Sequence, residues 1–226
     1  MGVLRSPRLG PVLYVASIQY FLAQVLVASR WSQPYSVVRN TISDLGNTAC
    51  RPYGGRFVCS PLHGVMNASF IVLGVVMVLG SVLVRRRVSA GPAATAGLAL
   101  MVAAGMGVVL VGAFPENSVP ALHGTGAGLF FVLGNAGLII LGLARDLPAP
   151  WRVYSLASGI LALAALGCFV TRQYLGLGEG GMERVVAYPQ TVWLIVTGLC
   201  LLTAPQLPKP KDGQSWPQGR TGRVHT

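Results

Sequence analysis

Six stretches of this chain are almost free of charge. Residues 10–29, 61–84, 92–114, 119–144, 151–170 and 185–202 hold a single Lys, Arg, Asp or Glu between them, Arg152. Each comes close to or exceeds the roughly 20 residues a helix needs to cross the hydrocarbon of a bilayer. Inside lipid every backbone N–H and C=O must be satisfied within the segment, so helices are the form such runs can take. The rest of the chain agrees: only 10% of its residues are charged, against about 25% in soluble domains. The expectation is an all-α fold, a polytopic bundle of six transmembrane helices over residues 1–204. A polar outer loop spans 30–60, and a basic, disordered tail follows over 205–226. The first run ends in no small-residue cleavage site and continues into "ASRW", so it reads as a retained helix and not a signal peptide.

The basic residues set the expected orientation. Arg5, Arg8, Arg85, Arg86, Arg87, Arg145, Arg152, Lys209, Lys211, Arg220 and Arg223 fall on the side of the termini. Arg30, Arg39, Arg51, Arg56, Arg172 and Arg184 fall on the other. The cytoplasmic side of a membrane protein carries the excess, so both termini are expected in the cytoplasm and the protein in the plasma membrane. The same bias, with anionic lipid headgroups, accounts for the net charge of +11 without nucleic acid as a partner.

Of the four cysteines, Cys168 and Cys200 sit within spans as small apolar fillers. Cys50 and Cys59 flank "RPYGGRFV" in the outer loop, where the oxidising side of the membrane permits a disulfide. Closing so short a loop stabilises by roughly 2–3 kcal/mol. A redox-active pair is the alternative, although the spacing is far from Cys-x-x-Cys. The same loop holds "NTISDLGN", which reads as a helical turn capped by Asn40 or Thr41 and stopped at Gly46.

One stretch is written twice. "LHGVMNASFIVLG" begins at Leu62, and "LHGTGAGLFFVLG" begins sixty residues later at Leu122, with seven of thirteen positions identical. At about 100° per residue the shared His, Phe and Gly fall on one helical stripe. The second and fourth spans thus begin alike, His63 and His123 each standing at the outer boundary. Duplication of a helical hairpin is the expected origin, and repeats of that kind place ligand sites at their interface. Most acidic residues gather at the same end: Asp44, Glu116, Glu179 and Glu183. Ionisable groups beside apolar spans commonly mark a site, although His at a helix start can also simply bond a carbonyl. The candidate catalytic residues are therefore His63, His123, Asp44 and Glu116, and the candidate ligand-binding residues are Arg39, Ser43, Asn67, Glu183 and Arg184.

"YSVVRNTISDLG", "SPLHGVMNASF", "VGAFPENSVPALHGTGAGLFFVLGN" and the later "GMERV" with Trp193 resemble, in order and spacing, the membrane family known as domain of unknown function 998. The resemblance runs from the first span to Trp193. A weaker similarity reaches the Frag/DRAM/Sfk group of six-span proteins, through Ile42-Ser43-Asp44-x-Gly46 and His123-x-x-Gly126-Ala127. Members of that group are linked to remodelling of lipid anchors and to membrane trafficking. The resemblance implies a six-helix fold and supports the chosen residues; it assigns no reaction.

Three functions compete. In the first, a membrane lipid or lipid-like ligand is bound or modified at the outer leaflet. A histidine is the general base, Asp44 or Glu116 orients it, and Arg184 or Arg39 holds a phosphate headgroup. No cofactor is required by the sequence; a divalent metal would take His63, His123 and Asp44, although no His-x-x-x-His spacing supports it. In the second, the two histidines ligate a haem for electron transfer. In the third, the protein is a non-catalytic sensor or assembly factor whose histidines respond to external pH. Ion-coupled transport is disfavoured, because Asn135 is the one strongly polar group expected at mid-membrane.

Overall fold

The structure, a computed structural model, describes residues 6–88 and 91–203. The tail expected over 205–226, with Lys209, Lys211, Arg220 and Arg223, lies outside the described residues, as does Arg5. Among the described residues, six helices are long and apolar enough to cross a membrane. They are α1 (Leu9–Ser29), α2 (His63–Val88), α3 (Pro92–Ala113), α4 (Pro120–Leu143), α5 (Ala149–Val170) and α6 (Gly178–Thr203). Proline opens α3 and α4 and lies within the first turn of α5, where its missing N–H costs no helical bond. Midway along α4, Leu129–Gly134 loosens into a π-helical turn.

Consecutive helices pack antiparallel, and α1 lies against both α2 and α6 to close the ring. The surface is apolar where a soluble protein would be polar: Val25 is 70% and Val153 67% exposed on the perimeter. Between helices the drive is close packing. A Cβ on Gly74 of α2 would strike the backbone of Gly105 in α3, and one on Gly105 would strike Gly74, so these two backbones touch because neither residue has a side chain. Interhelical hydrogen bonds add to this. The hydroxyls of Tyr14 and Ser81 pair at 2.8 Å, Trp193 Nε1 donates to Ser155 Oγ at 2.8 Å, and Tyr188 donates to Gln24 Oε1 at 2.8 Å. Asn135 is buried, but Gln24 and Gln190 are buried in the bundle as well, so it is not alone among strongly polar groups there.

The connection from α1 to α2 folds over one end of the bundle, termed the loop end below. Its hairpin pairs β1 (Arg51–Tyr53) with β2 (Arg56–Val58), with Arg51 opposite Val58 and Tyr53 opposite Arg56. Gly54 and Gly55 make the two-residue turn at φ of 56° and 78°. Positive φ at both central positions is what a type I′ turn demands, and glycine adopts it without steric cost. One residue beyond the paired strands, Cys50 and Cys59 form the expected disulfide. The expected helical turn is a 3-10 turn, Ser43–Gly46. Thr41 Oγ1 accepts from the N–H of Asp44 at 3.1 Å, and Asp44 Oδ2 accepts from the N–H of Thr41 at 3.1 Å. That reciprocal pair is a capping box.

Candidate functional site

Helix starts from three spans hold the 3-10 turn. From α2, Asn67 Nδ2 donates to the carbonyl of Gly46 at 2.9 Å. From α6, Glu183 accepts from the N–H of Ile42 and from Ser43 Oγ, the latter at 3.3 Å. From α4, His123 Nε2 lies 3.0 Å from Ser43 Oγ, while its Nδ1 lies 3.0 Å from the carbonyl of Phe114. A carbonyl can only accept, so Nδ1 carries a hydrogen, and the Nε2 of a neutral ring then presents its lone pair to Ser43. His123 is buried, 7% exposed, in the first turns of α4.

Above the turn, Arg56 of β2 ties the hairpin down. Its Nε is 2.6 Å from Asp44 Oδ2 and its Nη2 is 3.0 Å from Asp44 Oδ1, a bidentate pair, while Nη1 is 2.7 Å from Glu179 Oε2. Asp44 has no exposed side-chain surface, so its charge depends on that guanidinium and on the donors Asn40 Nδ2 and Thr41 N–H. The hairpin also rests on the α3–α4 connection. Tyr53 donates to the carbonyl of Glu116 at 3.1 Å, and Arg51 donates to that of Asn117 at 3.0 Å. Burial, and the charges of Asp44 and Glu183 beside it, push the Glu116 carboxyl up to about 9. Glu116 is therefore a neutral acid at physiological pH, able to donate a hydrogen bond.

Between these groups lies a cavity of about 280 Å³. Its polar lining includes Ser43, Arg56, Glu116, His123, Glu179 and Glu183. Its apolar lining is Ala127 and Phe131, which share a face of α4 with His123, and Phe169 of α5.

Thus the structure brings His123, Ser43, Glu116 and Glu183 to one cavity and leaves the other candidates out. His63 does not line it; its Nδ1 bonds the carbonyl of Ser60, three residues back, at 3.0 Å. Asp44 serves the capping box and Arg56 and does not touch the His123 ring, whose orienting partner is a backbone carbonyl and not a carboxylate. Arg184 spends its guanidinium on the loop carbonyls of Val37 and Asn40, on Tyr35 Oη and on the carbonyl of Gly180 in its own helix. Arg39 lines a separate cavity of about 270 Å³ beyond the hairpin, with Trp31 and Phe57. Asn67 is a strut. The metal set His63, His123 and Asp44 does not assemble: among the described residues no three His, Cys, Asp or Glu side chains come together to hold an ion. A bis-histidine haem fares no better, since both ring nitrogens of His123 already face protein groups.

Sequence reasoning passed over Arg56 and Glu179. Arg56 flanks the glycine pair of a hairpin, which marks its place, but its partners are 12 and 123 residues away and no local pattern announces them.

The family model for "Protein of unknown function (DUF998)" matches residues 14–200, which takes in α2 to α5, most of α1 and α6, and the whole loop end. The chain belongs to this family. No curated protein and no solved structure matches it. The match thus covers every residue that lines the cavity, and the chemistry has to be read from the cavity.

Proposed function

We propose that this DUF998 protein binds and acts on an amphiphilic, lipid-like ligand in the loop-end cavity, at the outer leaflet of the plasma membrane. The observation that carries the reading is the mixed cavity lining: Phe131, Phe169 and Ala127 together with Ser43, His123, Glu116 and Glu183. Pockets for small molecules combine a mostly apolar lining with a few convergent polar groups. The excess of Lys and Arg that the sequence assigns to the side of the termini supports placing the cavity outside. His123 is the general base of this reading, held in one tautomer by Phe114.

The headgroup follows from the charges. Arg56, the guanidinium on the cavity, is neutralised by Asp44 and Glu179, and Arg184 and Arg39 point elsewhere. Among the described residues the cavity lining thus offers no unpaired cation, and it carries the carboxyl groups of Glu179 and Glu183. A hydroxyl- or ammonium-bearing head suits it, and a phosphate does not. Competition against a fluorescent amphiphile on protein in nanodiscs tests this. Monododecanoylglycerol and dodecylamine should compete, dodecyl phosphate should compete at least about tenfold less well, and Ala127→Trp should abolish binding by filling the cavity. Equal binding of all three, or unchanged binding by Ala127→Trp, sinks the reading.

A further inference from the structure

We infer that Ser43 is the nucleophile, and His123 its general base, of an acyl-transfer step on an ester-bearing amphiphile; the inference rests on the cavity being that ligand's site. Three hydroxyls line the cavity: Thr41, Ser43 and Tyr53. Two are committed elsewhere. Thr41 Oγ1 accepts from Asp44 N–H and from Arg56 Nη2, and Tyr53 donates to the carbonyl of Glu116. Ser43 alone of the three faces an imidazole nitrogen, at 3.0 Å.

A nucleophile and base within hydrogen-bond reach, with the base fixed by a third group, is the arrangement that activates a serine. Here the third group is the Phe114 carbonyl, which holds Nδ1–H and turns the Nε2 lone pair to Oγ. Glu183 Oε1, at 3.3 Å, is the longer of the two acceptors, so the hydroxyl hydrogen has its shorter path to His123. If the bond served only to dock the loop on the bundle it would be redundant beside Asn67–Gly46 and Glu183–Ile42, and it would have no need to border open space.

The step balances without a cofactor. His123 takes the Ser43 proton as Oγ bonds the ester carbonyl carbon; the carbon–alkoxide bond then breaks, and His123 returns the proton to the departing alcohol. A water or a second alcohol, deprotonated by the same ring, attacks the acyl-serine and releases acid or new ester. Ser43 is regenerated. No electron is exchanged.

An alkyl fluorophosphonate tests this on the full chain in nanodiscs, because its attack by serine breaks P–F and leaves a stable O–P adduct. Peptide mass mapping should place one adduct at Ser43. Ser43→Ala should carry none, and His123→Gln should label about 100-fold more slowly. Ser43→Cys guards against misfolding: iodoacetamide should alkylate Cys at that position, mapped apart from Cys168 and Cys200, and monododecanoylglycerol should protect it. Alkylation and protection of that variant with no phosphonate on wild-type Ser43 would overturn the inference and leave the cavity reading standing. Phosphonate on Ser43 without protection leaves the nucleophile and removes the ligand class. Wild-type labelling rates in His123→Gln, or a thiol at position 43 that iodoacetamide does not reach, also overturn it.

Discussion

The start of α2 and the start of α4 are written in nearly the same letters and do different things. At α2, His63 bonds the carbonyl of Ser60, which also accepts the His63 N–H at 3.2 Å, and the contact stays within one turn. At α4, His123 bonds a carbonyl nine residues back and a hydroxyl eighty residues away. The charged residue seven positions earlier is Arg56 before α2 and Glu116 before α4. The phenylalanines, Phe70 and Phe130, are both 5% exposed. The closing glycines both sit in tight contacts, yet Gly74 meets the backbone of α3 and Gly134 meets the Gln190 side chain. A local pattern places a residue at a given depth on a given face. What the residue meets is set by the loop folded over it, and the loop lies on the two starts unequally.

The largest way to break this contrast is to release the loop. Arg56→Ala leaves Asp44 buried and unpaired and should cost about 3–5 kcal/mol, whereas Arg39→Ala should stay within about 0.5 kcal/mol. Thermal unfolding of the two variants in detergent separates them, and equal midpoints would remove Arg56 from its role. Next come the histidines. His123→Ala strips partners from Ser43 and Phe114 and should cost about 1–3 kcal/mol. For His63→Ala the loss should be under about 0.5 kcal/mol, since Ser60 keeps its backbone donor. Equal losses would mean that the two starts are equivalent after all. The glycines give a smaller difference. Gly74→Ala drives a methyl into backbone that cannot turn aside, for a cost of about 1–3 kcal/mol less the roughly 1 kcal/mol gained in helix propensity. Gly134→Ala meets an amide that can rotate and should cost less, as denaturation curves of the pair will show.

The last contrast is in pH. Glu116 stays protonated in the fold up to about 9, against 4.5 for an ordinary glutamate. Between those values the unfolded chain has lost a proton that the folded chain keeps. Glu116 therefore contributes stability that is complete below about pH 4.5 and falls away as pH rises towards 9. Glu116→Gln removes that dependence, so its unfolding midpoint should rise relative to wild type between pH 5 and pH 9. Parallel curves across the window would place Glu116 in water.

The six helices, their alternation and the Cys50–Cys59 disulfide could be read in advance, because each rests on interactions that are local or general: helical length against bilayer thickness, short connections, a hairpin turn between two cysteines. The polar character of the loop end was legible too, as were Ser43, His123, Glu116 and Glu183 as its members. Their roles were not. Asp44 reads as the carboxylate that orients a histidine until Thr41 and Arg56 are seen to consume its oxygens, and Arg184 reads as a phosphate clamp until it is found on loop carbonyls.

Sequence by itself determined that this chain lies in a membrane as six helices with its ionisable groups at their ends, since the cost of placing charge or bare backbone in hydrocarbon leaves no other arrangement. Only the tertiary structure decided that His123 and not His63 faces Ser43. That choice depends on directed contacts of about 3 Å between residues as much as 140 positions apart, and neither propensity nor hydrophobicity carries information about direction at that range.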